Sequence, residues 1–407
     1  MLKYFIVVIV VTAFLYGLFL FLNMEREVAL APSDSLSSVP EAAFDAEEAE
    51  DIEEPAEVAR VVSSNPGRIQ GIENQKPLPN PPEVIKAIYV TSWIAGTPSR
   101  MNELIKLIKE TELNAVVIDI KDYSGYVAYD IQNEDVIKYR AKEIRIPRVN
   151  ALIKQLHDEG IYVIARTTVF QDPLLVKARP DLALKNKVSG GVWYDNKGLG
   201  WVDPAAKEAW DYNIAIAKDA AERGFDEINF DYIRFASDGK LSEIGYPFFQ
   251  ETTTLKQSVL RDFFEYLRKE LNGIVISADL FGLVTVNYDD LGIGQSLEDA
   301  YKYFDAVAPM VYASHYARTF LGFENPAAHP YEVVNYSMAS ANQRLKNLES
   351  ASKLRPWLQH FDLGAIYDAA KIKAQIQATY DAGVTDGWML WDPSNRYLYV
   401  REALRLE

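Results

Sequence analysis

From about residue 83 onward, short apolar runs rich in β-branched residues alternate with longer segments in which apolar residues recur at helical spacing. The helical segments include residues 100–112, 149–159, 205–223 and 255–271. Eight runs have the length and composition of buried strands, and they cover residues 87–94, 115–122, 162–170, 227–235, 275–283, 306–314, 355–362 and 387–393. This alternation predicts an α/β fold, a single (β/α)8 TIM barrel over residues 83–407.

The competing α/β architecture is an open, doubly wound sheet. Such sheets usually carry a glycine-rich phosphate-binding turn after the first strand. Here the first predicted strand leads into residues 94–98, IAGTP, which are not such a turn. The closed barrel is therefore the prediction.

The N-terminal region is predicted to lie outside the barrel. Residues 4–22 carry no charge and approach the ~20 residues that span a bilayer. Residues 1–26 therefore predict an uncleaved signal-anchor, a single transmembrane helix in the cell membrane that leaves the barrel extracytoplasmic. A cleaved signal peptide, which would release a secreted protein, is the alternative. Residues 27–82 are acidic and then rich in Pro, Asn and Gly, without apolar periodicity, and they predict a disordered linker.

Charge and cysteine content limit the chemistry. The chain has 58 acidic and 42 basic residues and a net charge of -16, which disfavours nucleic acid as a partner because phosphate binding relies on Lys and Arg. Without cysteine there is no thiol nucleophile, thiolate metal ligand or disulfide. The four histidines show none of the paired spacings typical of zinc sites. We predict neither a cofactor nor a metal, and a carboxylate-only calcium or magnesium site stays open.

Polar and aromatic residues collect where the predicted strands end, whereas the strand starts are apolar or small. In a (β/α)8 barrel the active site lies at the C-terminal ends of the strands. This asymmetry predicts an enzyme. The candidate site residues are Trp93, Asp119, Lys121, Arg166, Asn229, Asp231, Arg234, Asp279, Tyr312, His315, His360, Trp391 and Asp392.

The fourth predicted strand, EINFDYIRF, is the most informative of these segments. Alternate side chains of a strand share a face, so Asn229, Asp231 and Ile233 are predicted to point the same way. Because burying an unpaired carboxylate is costly, Asp231 is expected to face a ligand at the mouth of the barrel. A salt bridge to Arg166 or Arg234, without catalysis, is the alternative.

Asp231 and Asp279 lie near the ends of adjacent predicted strands. Cleavage of a glycosidic bond needs two carboxyl groups, one to protonate the leaving oxygen and one to attack or to activate water. We assign Asp231 as nucleophile or base and Asp279 as acid, with the reverse order open. Trp93 and Trp391 are predicted to end the first and eighth strands, which neighbour each other in a closed barrel, and to stack on sugar rings.

The remaining candidates have simpler alternatives. Asp119 and Lys121 share one face of the second predicted strand, so an internal ion pair competes with substrate binding. Asp392 precedes a proline and would cap a turn. His315 and His360 follow the sixth and seventh strands, and for both the binding of substrate hydroxyl groups competes with a structural role.

Seven segments carry a resemblance to a known family, and they are residues 90–96, 117–122, 165–173, 230–235, 277–282, 309–316 and 355–361. They resemble the glycoside hydrolase-like barrels found in bacterial surface proteins. The resemblance implies a (β/α)8 glycosidase. A weaker similarity links the fourth strand to chitinase-type barrels, but Ile233 stands where their acidic Glu is expected, whereas amylase-type barrels, with a nucleophile on strand four and an acid on strand five, fit Asp231 and Asp279 better.

Together these patterns predict a membrane-tethered, extracytoplasmic glycosidase that acts on a cell-envelope or extracellular polysaccharide. The main alternative is a catalytically inactive barrel that binds glycan at the cell surface. A carboxylate-metal hydrolase is a third possibility.

Overall fold

Eight parallel strands of the computed structural model, which describes residues 72–405, close into a barrel. Each strand pairs in parallel with the next, and the eighth pairs with the first. The predicted single (β/α)8 barrel is confirmed. The strands are β1 (Ile85–Val90), β2 (Ala115–Lys121), β3 (Tyr162–Thr168), β4 (Glu227–Asp231), β5 (Ile276–Phe281), β6 (Ala306–Met310), β7 (Trp357–Gln359) and β8 (Gly387–Trp391).

Helices surround the strands, because each presents an apolar face to the outward side chains of the barrel. Short strands add to the sheet or to its loops: Lys353–Leu354 pairs with β6, and Lys185–Asn186 pairs with Ile244–Gly245 between the loops after β3 and β4. The helices are α1 (Ser92–Ala95), α2 (Pro98–Lys109), α3 (Glu134–Lys138), α4 (Val149–Asp158), α5 (Pro173–Ala178), α6 (Lys207–Arg223), α7 (Lys256–Glu270), α8 (Leu297–Tyr303), α9 (Pro330–Asn347), α10 (Ala369–Asp381) and α11 (Val400–Leu404).

Alternate strand residues divide the core into two layers. On β4, Ile228 and Phe230 belong to the apolar cluster between the strands and the helices. A second cluster fills the barrel interior, with Ala115 and Val117 of β2 and Ile164 of β3 among its members. The alternation on β4 therefore turns Asn229 and Asp231 into the barrel.

All eight strands end before the predicted runs do, and in two of them this changes the position of a predicted side chain. β1 ends at Val90, and Trp93 lies in α1, whose N-terminus Thr91 caps with its side chain. The prediction that Trp93 ends the first strand is wrong, because this cap starts a helical turn before Trp93 is reached. β4 ends at Asp231, and Tyr232 has a φ of 52°. This turn takes Ile233 out of the strand and into the outer apolar cluster, so its predicted common face with Asp231 is also wrong.

The chain approaches the barrel along the N-terminal ends of its strands. The backbone N–H of Leu78 donates to Asp226 Oδ1 over 2.5 Å, and the backbone N–H of Gln75 donates to the carbonyl of Arg223 over 3.0 Å. We call residues 72–82 the N-terminal strap. By composition they belong to the predicted linker, yet they make specific contacts with the barrel.

The predicted signal-anchor, residues 1–26, and the linker up to residue 71 lie outside the described residues. Within residues 72–405, no helix combines the length and apolar character needed to cross a bilayer.

Candidate active site

The guanidinium of Arg166 on β3 lies among three carboxyl groups inside the barrel. Its Nη1 donates to Asp119 Oδ1 over 2.7 Å, its Nη2 donates to Asp231 Oδ2, and its Nε lies 3.7 Å from Asp279 Oδ2. All four side chains are at least nine-tenths buried. The two predicted catalytic residues, Asp231 and Asp279, therefore share one counter-ion.

Strand register assembles this group. Asp119 pairs with Arg166, Arg166 with Asn229, and Asn229 with Ser277, so these four residues lie side by side on β2, β3, β4 and β5. Asp231 follows Asn229 by two positions and therefore points to the same interior, nearer the C-terminal end. Inward polar positions on four successive strands thus converge.

Asp279 is held through one of its two oxygens. Asn229 Nδ2 donates to Asp279 Oδ1 over 2.9 Å, and Trp357 Nε1 donates to the same oxygen over 2.8 Å. Among the described residues no hydrogen bond reaches Oδ2. Both donors would also stabilise a carboxylate, so their presence alone does not decide the protonation state.

Burial decides it. Burial, followed by the charge of Asp231, raises the pKa of Asp279 to about 8, against the opposing effect of Arg166. Burial likewise raises the pKa of Asp119 to about 6, although Arg166 opposes it. One positive charge cannot compensate three negative ones in an apolar interior, so at neutral pH Asp279 holds its proton.

Aromatic side chains enclose the group. Tyr89 on β1 stacks on Trp391 at a centroid distance of 3.8 Å, and Trp391 meets Trp357 edge to face at 5.3 Å. The hydroxyl of Tyr89 donates to Asp119 Oδ2, and the Arg166 guanidinium lies 4.8 Å from the Trp391 ring. The prediction that Trp391 ends the eighth strand is confirmed.

A change of backbone conformation lies directly beside Asp231. The φ of Tyr232, 52°, is in the left-handed region, which is costly for a bulky residue. In this conformation the Tyr232 N–H donates to Asp231 Oδ1 over 2.5 Å. The turn therefore ends β4 and fixes the carboxylate at once.

A separate ion pair fills the bottom of the barrel. Glu227, at the start of β4, pairs with Arg355, and Tyr162 donates to the same carboxylate over 3.3 Å. Glu227 and Arg355 are each 2% exposed in their side chains. Glu227 lies two positions before Asn229 on β4, and Arg355 lies two positions before the start of β7. This pair is structural.

Three predicted residues lie elsewhere. Lys121 is fully buried and pairs with Asp172 at 2.8 Å, so the predicted ion pair with Asp119 does not form. A bulge in β2 between Asp119 and Lys121 explains the difference, since it breaks the common face. Arg234 lies between the rings of Trp201 and Phe281, at 4.7 and 4.6 Å. Trp93 stacks on Arg145 at 4.8 Å.

The last four predicted residues form two groups after β6, β7 and β8. Tyr312 and His315 meet edge to face at 5.2 Å, and each also contacts Phe361. His360 Nδ1 lies 3.1 Å from Asp392 Oδ2. Although burial opposes it, hydrogen bonding from His360 and Ser394 lowers the pKa of Asp392.

Two residues of the site were not assigned to it from the sequence. Tyr89 and Trp357 both occupy inward positions near strand ends, and each donates to a carboxyl group of the site. Both side chains point into the barrel because of their positions on their strands. A sequence can identify such positions only when the bounds of the strands are known. Within residues 72–405, no cluster of three or more His, Cys, Asp or Glu side chains is arranged to hold a metal ion.

A family model described as a putative glycosyl hydrolase domain matches residues 87–397. None of the curated proteins matches the sequence. A hypothetical protein from Ruminiclostridium thermocellum is 39% identical over 51% of this chain and 98% of its own, with a TM-score of 0.44.

Two glycosidases of known structure also match. A chitobiase from Flavobacterium johnsoniae is 10% identical over 79% of this chain and 48% of its own, with a TM-score of 0.51. An alpha-galactosidase from Thermus thermophilus is 12% identical over 81% of this chain and 62% of its own, with a TM-score of 0.47. The chain therefore spans less than two thirds of either enzyme, and the likeness to the chitobiase, at this identity, concerns the fold alone.

Proposed function

We propose that this chain, which belongs to the family described as putative glycosyl hydrolase domains, hydrolyses glycosidic bonds of a cell-envelope or extracellular polysaccharide. The reaction is assigned to the C-terminal ends of β4 and β5. Asp279 acts as the general acid, and Asp231 acts as the nucleophile or as the base that activates water.

The difference between the two carboxyl groups carries this proposal. Asp231 is ion-paired with Arg166, whereas burial raises the pKa of Asp279 to about 8. A glycosidase needs one protonated and one ionised carboxyl group at the same pH. The Arg166 guanidinium donates a hydrogen bond to Asp231 but lies farther, 3.7 Å, from Asp279 Oδ2, so the two carboxyl groups lie in different environments, which supports the proposal.

Atom positions assign the proton. Asn229 and Trp357 donate to Asp279 Oδ1, so Oδ2 is the oxygen that carries the proton. In the first step the Oδ2 proton moves to the glycosidic oxygen as the bond to the anomeric carbon breaks. Asp231 either bonds to that carbon or takes a proton from the attacking water. The stacked rings of Tyr89 and Trp391 provide an apolar wall of the kind that sugar rings pack against.

The test is cleavage of a panel of bacterial cell-envelope and extracellular polysaccharides by the full chain, with analysis of the products. We expect D231N and D279N to lower the turnover rate by about 100-fold or more, as for loss of an acid–base group. Asp262 on α7 is exposed, and D262N is the matched control that keeps full activity. Cleavage by D231N and D279N at the wild-type rate would reject the assignment. Loss of wild-type cleavage in a chelator would instead favour a metal-dependent hydrolase.

A second candidate is a catalytically inactive barrel that binds glycan. Asp279 is 1% exposed, and a buried network in which Arg166 contacts every carboxyl group can also serve stability alone. In that case the wild-type chain binds polysaccharides of the panel without releasing products, and D279N binds equally well.

We also propose that the protein is tethered to the cell membrane with the barrel extracytoplasmic. The uncharged run of residues 4–22 supports this proposal. Fractionation of cells, with protease added to intact cells, tests it. Digestion of the barrel together with recovery in the membrane fraction is the expected result, and a protected or fully secreted barrel would contradict it.

A further inference from the structure

His360 and Asp392 form a dyad beside the candidate active site. His360 directly follows β7 and Asp392 directly follows β8. The backbone N–H of His360 donates to the carbonyl of Trp391 over 2.9 Å, and the Trp391 indole contacts Arg166. The dyad is therefore hydrogen-bonded to Trp391, whose ring lies against the arginine that contacts Asp119, Asp231 and Asp279.

The hydrogen bonds of Asp392 fix the orientation of the imidazole. Asp392 Oδ1 accepts from the backbone N–H and the hydroxyl of Ser394, at 2.9 and 2.6 Å. Asp392 Oδ2 accepts from the Tyr397 N–H and lies 3.1 Å from His360 Nδ1. An ionised carboxylate can accept hydrogen bonds but cannot donate one. The proton between Asp392 Oδ2 and His360 therefore belongs to Nδ1 of the imidazole.

The other ring nitrogen has no such partner. His360 is 6% exposed, and among the described residues none forms a hydrogen bond with Nε2. A buried polar atom without a partner costs free energy. With Nδ1 directed at Asp392, Nε2 is the ring atom left to bond a ligand, and in the tautomer that carries only the Nδ1 proton it accepts from a donor such as a hydroxyl group.

We propose that His360, oriented by Asp392, accepts a hydrogen bond through Nε2 from a ring hydroxyl of the sugar bound at this site. The inference rests on the proposed function in that the ligand is a sugar, but it does not require turnover. The dyad then acts in substrate binding and sets which sugar hydroxyl orientation the site accepts. A site that hydrogen-bonds a hydroxyl discriminates strongly against sugars that lack it.

Two substitutions of His360 separate this role from a structural one. In H360N the side-chain amide keeps a donor near the position of Nδ1, and so keeps the bond to Asp392, but nothing replaces Nε2. In H360Q the longer amide places an acceptor near the position of Nε2. If the dyad is purely structural, H360N should lower the affinity for the sugar less than H360Q does. If His360 binds the sugar as proposed, H360Q should lower it less than H360N does.

The experiment measures binding to the full chain in a D279N background, where cleavage is blocked, by calorimetry. The probes are malto-, chito- and galacto-oligosaccharides. We expect H360N to weaken binding of the recognised probe about five- to tenfold, as for one lost hydrogen bond, and H360Q to restore part of it. The control is H329Q, because His329 stacks on Phe323, and we expect this substitution to leave the affinity unchanged.

Thermal unfolding of the same variants separates binding from folding. Unchanged affinity in H360N, an equal loss in H360N and H360Q, or failure of D279N to bind any probe would overturn the inference. If wild type cleaves no glycan but H360N still loses affinity and H360Q recovers it, the inference holds while the hydrolase proposal fails. If the wild-type chain cleaves a glycan and H360N binds the probe with unchanged affinity, the hydrolase proposal holds while this inference fails.

Discussion

At the residue scale, the informative feature is the ratio of charges around Arg166. Three carboxyl groups contact one guanidinium inside an apolar barrel. A purely structural ion pair needs one carboxylate, as the pair of Glu227 and Arg355 at the bottom of the same barrel illustrates. The excess of acid raises a pKa and keeps a proton in the interior at neutral pH. Perturbed pKa values of this kind are typical of functional sites.

The proton on Asp279 makes stability depend on pH. The unfolded chain releases it near the ordinary value of 3.8, whereas the folded protein holds it up to about 8. Between these values the folded state binds more protons, so the free energy of unfolding decreases as pH rises. The contribution of the Asp279 proton to the free energy of unfolding is fully present below about pH 4 and is lost as the pH rises through about 8.

We therefore expect D279N to flatten this profile. Denaturant unfolding at intervals from pH 5 to pH 8 should show that the free energy of unfolding of wild type falls more steeply than that of D279N, by on the order of 1 kcal/mol per pH unit. The control D262N should follow wild type. Parallel curves for wild type and D279N would mean that Asp279 is ionised throughout.

Removal of the shared cation should be far more costly than removal of an exposed one. R166M leaves three buried carboxyl groups without their counter-charge, and we expect a loss of about 3 kcal/mol or more in the free energy of unfolding. Arg318 is 78% exposed in its pair with Glu324, so R318M should change it by less than about 0.5 kcal/mol. Chemical denaturation at pH 7 measures both. Similar losses in the two variants would show that solvent reaches the Arg166 cluster.

At the element scale, closure of the barrel depends on one glycine at the start of β8. Gly387 has a φ of 112°, and a Cβ there would lie 1.8 Å from the carbonyl oxygen of Ile85 on β1. The position of this Cβ is fixed by the backbone of residue 387, which pairs with Ile85. Neither the Cβ nor the carbonyl oxygen can therefore move without separating β8 from β1.

G387A is therefore expected to destabilise the fold by more than about 4 kcal/mol, the range of backbone clashes in a core. Gly273 has a φ of 83°, but a Cβ there would meet no atom of the described residues within 4 Å. G273A should therefore cost only about 1 kcal/mol, the strain of the left-handed conformation. Soluble yield and thermal unfolding compare the two. Equal losses would show that strain, and not the contact with Ile85, is responsible.

The strands were predictable because buried parallel strands are continuous apolar runs. Their C-terminal ends were not. The run after Val90 continues as apolar sequence, but the Thr91 cap starts a helix, and the run after Asp231 turns at Tyr232. Local hydrogen bonding and one left-handed residue decide these ends, and neither changes the apolar pattern.

The same limit governs the site. Asp231, Asp279, Asn229 and Arg166 were found because their strands place them inward before any irregularity. Lys121 lies beyond the bulge of β2, and Arg234 lies beyond the turn at Tyr232, so period-2 reasoning no longer applied to them. Which arginine pairs with Asp231 followed from register across strands, which a single sequence does not specify.

At the scale of the whole molecule, the barrel is continuous with the N-terminal strap. Asn150 donates to the carbonyl of Ile72 over 3.0 Å, and Leu78 and Gln75 contact the segment before β4. Composition assigns these residues to a linker because they have little apolar surface. Their contacts are backbone hydrogen bonds instead, which Pro-rich and Asn-rich sequence can make without any apolar period.

Asp226 links the strap to the barrel. Its two oxygens accept from the backbone N–H groups of Leu78 and Val163, and Oδ2 lies 2.9 Å from His157 Nε2. Without the strap, this carboxylate loses one charge-assisted hydrogen bond, and Asn150 loses its acceptor on Ile72. Each such loss leaves a partly buried polar group less well satisfied.

A fragment of residues 84–407 is therefore expected to be less stable than one of residues 72–407, by about 2 to 3 kcal/mol for the hydrogen bonds lost. Denaturant unfolding of the two fragments at one pH measures the difference. The control is K76A in the longer fragment, because Lys76 is an exposed residue of the strap. If both fragments unfold at the same denaturant concentration, the strap rests on the barrel without stabilising it, and the folded unit begins near residue 83 as its composition predicts.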